Sequence, residues 1–239
     1  VRLVGSEMCI RDSLYQWHRW LFPVNEWSVQ PVNVGQLRGD EPMQVVSGRV
    51  DRPIVHFEAP PRATLDDQLA DFTLWFNQTR HDPTIDPLLR AAICHLWFLT
   101  LHPVDDGNGR LARALTDLAL SQADSHSMRL YAMPVAILEL RGDYYRALES
   151  AQKGSLDITS WICWFLDTLD FSIELALQSI ARSLATASFW QRHCHDGLSP
   201  EQTKVINRLL DGGEQGFENG ISASQYQKVA GVSKPTATR

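Results

Sequence analysis

Twelve consecutive residues, 102–113 (HPVDDGNGRLAR), combine the side chains that phosphate chemistry needs. His102 has an ordinary pKa close to neutrality, so it suits the task of taking a proton from a hydroxyl group. Asp106 offers a hard oxygen ligand that could hold Mg²⁺ against two phosphates. Arg110 and Arg113 are three residues apart and therefore lie on one face of a helix, where both could bind phosphate oxygens.

The glycine-rich centre of this stretch, 107–109, predicts a tight turn that points several backbone N–H groups at one spot. The next helix is expected to begin at about Asn108, with its positive dipole end facing the same anion. An arginine at a helix N-terminus is unfavourable for the helix, so a bound polyanion explains Arg110 better than helix stability does. A plain turn between helices, the alternative, explains the glycines but not His102, Arg110 and Arg113 together.

Helices must hold this loop in place, because apolar helical sequence flanks it over 88–101 and 111–120. Pro87 is expected to open the first of these helices, which ends at Leu101 and should be the buried central one. Further apolar stripes predict helices from a Thr64 cap to about Asn77, from Pro134 to about Ala151, and from Ser155 with Asp157 to about Arg192.

The loop resembles the signature of Fic-domain proteins, His-Pro-Phe-x-(Asp/Glu)-Gly-Asn-Gly-Arg-x-x-Arg. Val104 stands where that family usually has Phe, a smaller apolar plug that affects packing more than chemistry. Segments 43–61, 143–159 and 164–170 are also similar to one Fic subfamily, and the resemblance runs from about Leu14 to the end of the chain. It implies an all-α fold, a Fic-type helical bundle with a β-hairpin flap.

The resemblance also implies an activity: transfer of AMP from ATP–Mg²⁺ to a Ser, Thr or Tyr hydroxyl of a target protein, with release of pyrophosphate. Gly109 argues against the kinase-like Doc branch, which has Lys at that position. Carried over to this chain, the resemblance makes His102 the base and Asp106 the metal ligand. The backbone of Gly107, Asn108 and Gly109, with the Asn108 side chain, forms an anion hole for the α-phosphate. Arg110 and Arg113 bind the β- and γ-phosphates, and Tyr144 and Tyr145 form the adenine pocket.

The same residues also fit other interpretations. Tyr144 and Tyr145 also fit the role of core aromatic residues. The same site could remove AMP from a modified protein or transfer a different phosphate-containing group. The chain could instead be a DNA-binding regulator whose Fic core senses a nucleotide.

The flap is expected where Val45–Val46, a turn over 47–52, and Ile54–Phe57 read as strand, turn and strand. Pro53 and the Pro60–Pro61 pair suit a strand edge that is not paired on both sides. In the family this hairpin aligns the target segment by strand addition. A surface hairpin without that function is the alternative.

Composition excludes several classes of protein. A chain of 239 residues with 44% hydrophobic residues and a net charge of −6 is typical of a soluble globular protein, not of a basic nucleic-acid binder. No apolar run approaches the roughly eighteen residues of a membrane span, and no secretory signal is evident. Four scattered cysteines, Cys9, Cys94, Cys163 and Cys194, suit a reducing cytoplasm. We therefore expect a cytoplasmic protein without a membrane partner.

The domain boundaries are predicted from local composition. Residues 3–13 (LVGSEMCIRDS) read as the translation of a sequencing-library adapter, so 1–13 are expected to be an artefact. The N-terminal helix and flap region then covers 14–63, the Fic core 64–195, and a C-terminal module 197–239.

The C-terminal module resembles the helix-turn-helix core of a winged-helix domain. A helix over 200–210 is followed by a second helix, a turn at 231–233 and the start of a third helix, in which the chain stops, so the domain is expected to be truncated. Lys228, Lys234 and Arg239 could touch DNA phosphates, whereas a protein-docking or dimerising module is the alternative.

The resemblance also implies an inhibitory segment. Family members of this subtype usually carry Ser/Thr-x-x-x-Glu-Gly/Asn, whose Glu pairs with the second arginine of the signature. The sequence holds no copy of it; Glu218–Asn219 comes closest, but position 214 is Glu. We expect Arg113 to be available for the γ-phosphate.

Overall fold

The computed structural model describes residues 10–23, 32–49, 51–123, 132–212 and 220–237. Cys9, the segment with Glu218 and Asn219, and Arg239 lie outside these ranges. Contacts divide the chain into two compact units, Val1–Ser172 and Ile173–Arg239. The predicted boundary at Gly197 therefore falls within the second unit.

The described residues are mostly helical, with one two-stranded antiparallel sheet. The elements are α1 (Ile10–Leu21), β1 (Gln44–Arg49), β2 (Arg52–Glu58), α2 (Arg62–Gln78), a 3₁₀ turn (Thr79–His81), α3 (Pro87–Leu101), α4 (Asn108–Ala123), α5 (Met133–Glu139), α6 (Arg141–Lys153), α7 (Thr159–His193), α8 (Pro200–Leu210), α9 (Ala223–Ala230) and α10 (Lys234–Ala237).

Helix α3 is the buried centre of the first unit, as predicted. The Asp86 side chain accepts hydrogen bonds from the N–H groups of Leu88 (2.8 Å) and Leu89 (3.3 Å), and Pro87 occupies the first turn, where its missing N–H has no consequence. The core around α3 is apolar and strongly aromatic, with Phe72, Phe76, Phe98, Trp161 and Phe165 among its buried members. The indole N–H of Trp161 donates to the Ala92 carbonyl at 2.9 Å, which fixes the first turns of α7 against α3.

Two predicted helix starts were wrong. The N-cap of α2 is Pro61, and the Thr64 hydroxyl donates to the Pro61 carbonyl instead of accepting an N–H. Asp157 accepts the N–H of Thr159, so α7 begins at Thr159 and not at Ser155.

The predicted helix from Pro134 to Ala151 is two helices, α5 and α6. Leu140 separates them, with a backbone conformation outside the helical region (φ −97°, ψ 27°). Gly142, which has a poor helix propensity, follows in the first turn of α6. The apolar periodicity continues across this break, so the sequence pattern did not reveal it.

The predicted hairpin is present. Strands β1 and β2 pair antiparallel from Gln44–Glu58 to Arg49–Arg52, with an irregularity between Val45 and Val46. The pairing thus extends into the segment that was expected to be turn. Gly48 takes a positive φ of 91° opposite Pro53.

In the second unit, α8 and α9 each begin with a capping box, made by Ser199 with Gln202 and by Ser222 with Gln225. Gly231 ends α9 in the left-handed region, and α10 follows after two residues. This is the helix–turn–helix order that was predicted, while the assignment to a truncated winged-helix module stays a prediction. Within the described ranges, no helix is long and apolar enough to cross a bilayer.

Candidate active site

His102 terminates α3 in a conformation that is rare for a residue with a side chain. It takes the left-handed region (φ 47°, ψ 57°), and its N–H bonds the Phe98 carbonyl at 3.1 Å. Among the described residues it is the single non-glycine with a positive φ. Such conformations cluster at functional sites, because surrounding contacts must hold them.

The hydrogen bonds of the His102 ring define its tautomer. Nδ1 lies 3.2 Å from the Leu99 carbonyl oxygen, which can only accept, so Nδ1 carries the proton. Nε2 is then the unprotonated nitrogen, and no hydrogen bond from the described residues reaches it. Burial lowers the pKa of His102 from its ordinary value, against opposing effects of the Leu99 bond and the Asp106 charge. The ring is thus a neutral base with its acceptor nitrogen free.

The Asn108 side chain clamps the loop that follows. Its Oδ1 accepts the Val104 N–H at 3.1 Å, and its Nδ2 donates to the Val104 carbonyl at 2.7 Å. Asn108 and Val104 are both buried. Because both polar atoms of this side chain are engaged inside the loop, the Asn108 contribution to an anion hole stays a prediction, and the backbone is the stronger candidate.

The first turn of α4 presents unpaired N–H groups. The N–H groups of Arg110 and Leu111 both bond the Gly107 carbonyl at 3.0 Å, which leaves Asn108 and Gly109 without intrahelical partners for their N–H groups. Gly107 has a φ of 89° and permits the turn. These groups and the helix dipole make a corner suited to an anion, which we call the anion-binding corner.

Both arginines of the signature lie at this corner. A Cβ placed on Gly109 would lie 3.6 Å from Arg113 Nη1, so the Arg113 guanidinium runs alongside the loop. The Arg110 guanidinium is partly exposed, stacks over the Phe22 ring at 4.6 Å, and lies 3.5 Å from Asp106 Oδ2.

Asp106 is the one acidic side chain of the loop that faces solvent broadly, with 63% of its side chain exposed. Its Oδ1 accepts the Gly107 N–H. No group of three or more potential metal ligands occurs among the described residues. A single exposed carboxylate fits Mg²⁺ only where phosphate oxygens and water complete the shell, which is the usual way this ion accompanies a nucleotide.

Sequence comparisons identify this part of the chain. A sequence model of the Fic/DOC family matches residues 11–120. These residues form a Fic/DOC family domain. The chain is also similar to protein adenylyltransferase fic-1 of Caenorhabditis elegans, with 34% identity over 200 residues that cover 83% of this chain and 34% of that protein. Protein adenylyltransferase Fic of Drosophila melanogaster is 30% identical over 106 residues, 44% of this chain and 20% of that protein. The chain therefore spans about a third or less of the length of these relatives.

Solved structures show the same fold. Fic-1 (residues 134–508) of C. elegans superposes with a TM-score of 0.52 and 27% identity, covering 72% of this chain and 44% of that one. A Fic family protein of Desulfovibrio desulfuricans gives a TM-score of 0.54 at 23% identity, covering 95% and 58%, and supports the fold alone.

The two tyrosines proposed for adenine, both on α6, differ in environment. Tyr144 is buried, and its hydroxyl lies 3.2 Å from His95 Nε2. Its ring is therefore a core aromatic residue, as the alternative interpretation expected. Burial raises its pKa well above the ordinary value. Tyr145 is 49% exposed, its ring centroid lies 5.2 Å from that of Tyr144, and the Arg141 guanidinium lies 5.7 Å from its ring. Adenine contact stays a prediction for both.

Arg38 is a site-supporting residue that sequence reasoning missed. Its side chain is buried, its Nε donates to the His102 carbonyl at 2.9 Å, and its Nη2 donates to the Pro60 carbonyl. Its backbone N–H also bonds the Pro103 carbonyl at 3.0 Å. It thereby connects the loop that begins at His102 to the end of the hairpin region. No local pattern distinguishes Arg38 from a surface arginine, because its partners lie 22 and 64 residues away.

Proposed function

We propose that this chain transfers AMP from ATP to a hydroxyl group of a target protein. The observation that carries the proposal is the neutral His102 ring with its free Nε2. His102 begins the loop that leads into the anion-binding corner of α4. The names of the C. elegans and Drosophila relatives, protein adenylyltransferases, support the same activity.

The proposed reaction is a single displacement at the α-phosphorus. His102 Nε2 takes the proton from the target hydroxyl as its oxygen forms a bond to the α-phosphorus. The bond between that phosphorus and the bridging oxygen breaks, and pyrophosphate leaves. The N–H groups of Asn108 and Gly109 bind the α-phosphate oxygens, while Arg110 and Arg113 balance charge on the departing phosphates.

Asp106 would hold Mg²⁺ in this proposal, together with phosphate oxygens. When bound, the ion neutralises negative charge on the leaving pyrophosphate. Removal of divalent cations with EDTA is therefore expected to abolish transfer, and added MgCl₂ to restore it. The cytoplasmic location also stays a prediction, resting on cysteines; Cys94, Cys163 and Cys194 are unpaired.

The hairpin is the proposed binding element for the target segment. Val46 and Ile54 expose about half or more of their surface there, 51% and 59%. His56 Nδ1 lies 3.0 Å from Glu149 Oε2, which tethers β2 to α6. A strand of the target added to this hairpin would present its hydroxyl residue in extended form, with backbone hydrogen bonds supplying affinity.

The test uses the whole chain with ATP labelled on the α-phosphate, MgCl₂ and a cell extract as the source of target. We expect protein-bound label with the unaltered chain and none with His102→Ala, which should still bind ATP in calorimetry. Label in both samples, or in neither while ATP binds, would contradict the proposal. A chain that instead releases AMP from a pre-modified protein would support the reverse reaction at the same site.

A DNA partner is the second candidate, favoured by the helix–turn–helix order of α9 and α10. His102→Ala discriminates the two functions, because a nucleotide-sensing regulator would retain its DNA-dependent output in that variant.

A further inference from the structure

His18, on α1, has a fully defined set of hydrogen bonds beneath the catalytic loop. Its side chain is completely buried. Its Nε2 lies 3.0 Å from the Asp106 carbonyl oxygen, and its Nδ1 accepts the Gly35 N–H at 2.9 Å. Because a carbonyl only accepts and a backbone N–H only donates, the ring is neutral with its proton on Nε2.

The bond to Asp106 determines the direction of the peptide plane at the start of the anion-binding turn. In a planar trans peptide the C=O and the following N–H point in opposite directions. With the Asp106 carbonyl held towards His18, the Gly107 N–H must point away from α1. That N–H bonds Asp106 Oδ1, so the same contact also directs the carboxylate.

Phe22, four residues after His18, supports the other half of the corner. Its ring packs edge-on against the His18 ring at 5.0 Å, and the Arg110 guanidinium lies 4.6 Å from its centroid. A Cβ on Gly107 would come within 3.0 Å of Phe22 Cε2, so the loop lies directly on this ring. Helix α1 therefore contacts the loop backbone through His18, and the residue that follows the helix, Phe22, contacts the arginine proposed to bind phosphate.

We propose that His18 is a positioning residue for AMP transfer, which aims the Asp106–Gly107 peptide through its Nε2–H hydrogen bond, with Phe22 supporting Arg110. The inference rests on the proposed function for the effect of His18 on AMP transfer. The hydrogen bonds of His18 concern only the structure of the loop. His18 touches no reacting atom. Its effect on ATP passes through the orientation of the turn.

Two substitutions separate positioning from simple packing. His18→Gln places an amide donor near the position of Nε2, so it can bond the Asp106 carbonyl. His18→Asn places its polar atoms near the position of Nδ1, so it can accept the Gly35 N–H but cannot reach Asp106. Both remove the ring and its contact with Phe22, so a role in packing alone predicts similar behaviour.

The experiment measures hydrogen exchange of the peptide covering 102–113 and the dissociation constant of ATP with MgCl₂ by calorimetry. For His18→Asn we expect faster exchange in this peptide and at least about tenfold weaker ATP binding, the effect of one lost buried hydrogen bond. For His18→Gln both quantities should stay within about threefold of the unaltered chain. Equal effects of the two variants, or the reverse order, would overturn the proposal.

The proposal can still be tested if the chain does not bind ATP or if the variants do not fold. If the unaltered chain binds no ATP, the proposed function fails, yet the exchange comparison still tests the loop. If the variants do not fold, ¹⁵N NMR of the unaltered chain decides: His18 must show a protonated Nε2 and an unprotonated Nδ1 at neutral pH. The opposite tautomer would contradict the geometry.

Discussion

Three histidines of the Fic domain have defined tautomers, and they differ in whether a ring nitrogen remains available. His18 uses both nitrogens on backbone groups. His95 uses both on the hydroxyl groups of Thr116 and Tyr144. His102 alone of the three has a nitrogen that no described residue engages. This distinction, and not the residue type, is the reason for proposing His102 as the base.

The pH dependence of the reaction should report the environment of His102. Burial lowers its pKa below the ordinary 6.5, and the base acts only when it is neutral. The rate should therefore be retained as pH falls to 6.5 and be lost only as pH passes through the lower pKa of the folded site. We expect the acid limb of kcat/KM for AMP transfer to lie below pH 6.5 in a profile from pH 5 to 8.

The matched control is His102→Ala, which should show no transfer at any pH in that range. An acid limb centred above pH 7 would mean that His102 is not the base, or that another group controls the rate.

At the scale of elements, a buried chain of hydrogen bonds connects α6, α3 and α4. The Thr116 hydroxyl donates to the Ala112 carbonyl at 2.8 Å, so its oxygen accepts from His95 Nδ1–H, also at 2.8 Å. His95 Nε2 then accepts the Tyr144 hydroxyl proton at 3.2 Å. These hydrogen bonds hold α4 at Thr116, one turn beyond Arg113, and join it to α6, the helix that carries Tyr145.

Burial lowers the pKa of His95 to about 3, with Arg113 acting in the same direction. In the unfolded chain the pKa returns to about 6.5, so the unfolded state binds more protons between these values. The His95 contribution to stability is therefore complete above pH 6.5 and is lost as pH falls from 6.5 towards 3.

His95→Gln should reveal this contribution in urea unfolding measured at pH 7.5, 6.5, 5.5 and 4.5. At pH 7.5 the variant should be less stable by roughly 1–3 kcal/mol, because buried hydrogen bonds are lost. Its free energy of unfolding should then fall less steeply with acid than that of the unaltered chain. Parallel slopes would show that His95 is not the group that acid protonates on unfolding.

Elements whose signals are local were predictable from sequence. The Asp86–Pro87 start of α3 and the hairpin follow from caps, turns and periodicity. The break at Leu140 was missed because apolar spacing continues through it. His18 bonds a residue 88 positions away, and such long-range pairs leave no mark in local spacing. The sequence therefore supports a prediction of the candidate site residues, but it does not reveal the distant residues that hold their loop in place.

At the scale of the whole molecule, charge is distributed unevenly. The chain carries a net charge of −6, yet Arg38, Arg110 and Arg113 surround the loop. Attraction of the proposed nucleotide would therefore depend on local groups and helix α4, not on the overall field.

The proposed DNA contact of the second unit can be judged by its salt dependence. Lys228 on α9 and Lys234 on α10 are both exposed, and two phosphate contacts give a slope of about −1.8 in log K against log salt. Binding of a labelled duplex, followed by fluorescence anisotropy, should therefore weaken about tenfold between 50 and 200 mM salt. The double variant Lys228→Gln, Lys234→Gln should lose binding while AMP transfer persists, because neither lysine belongs to the Fic site. Undetectable binding at 50 mM salt, or affinity that ignores salt, would leave protein docking as the function of α9 and α10.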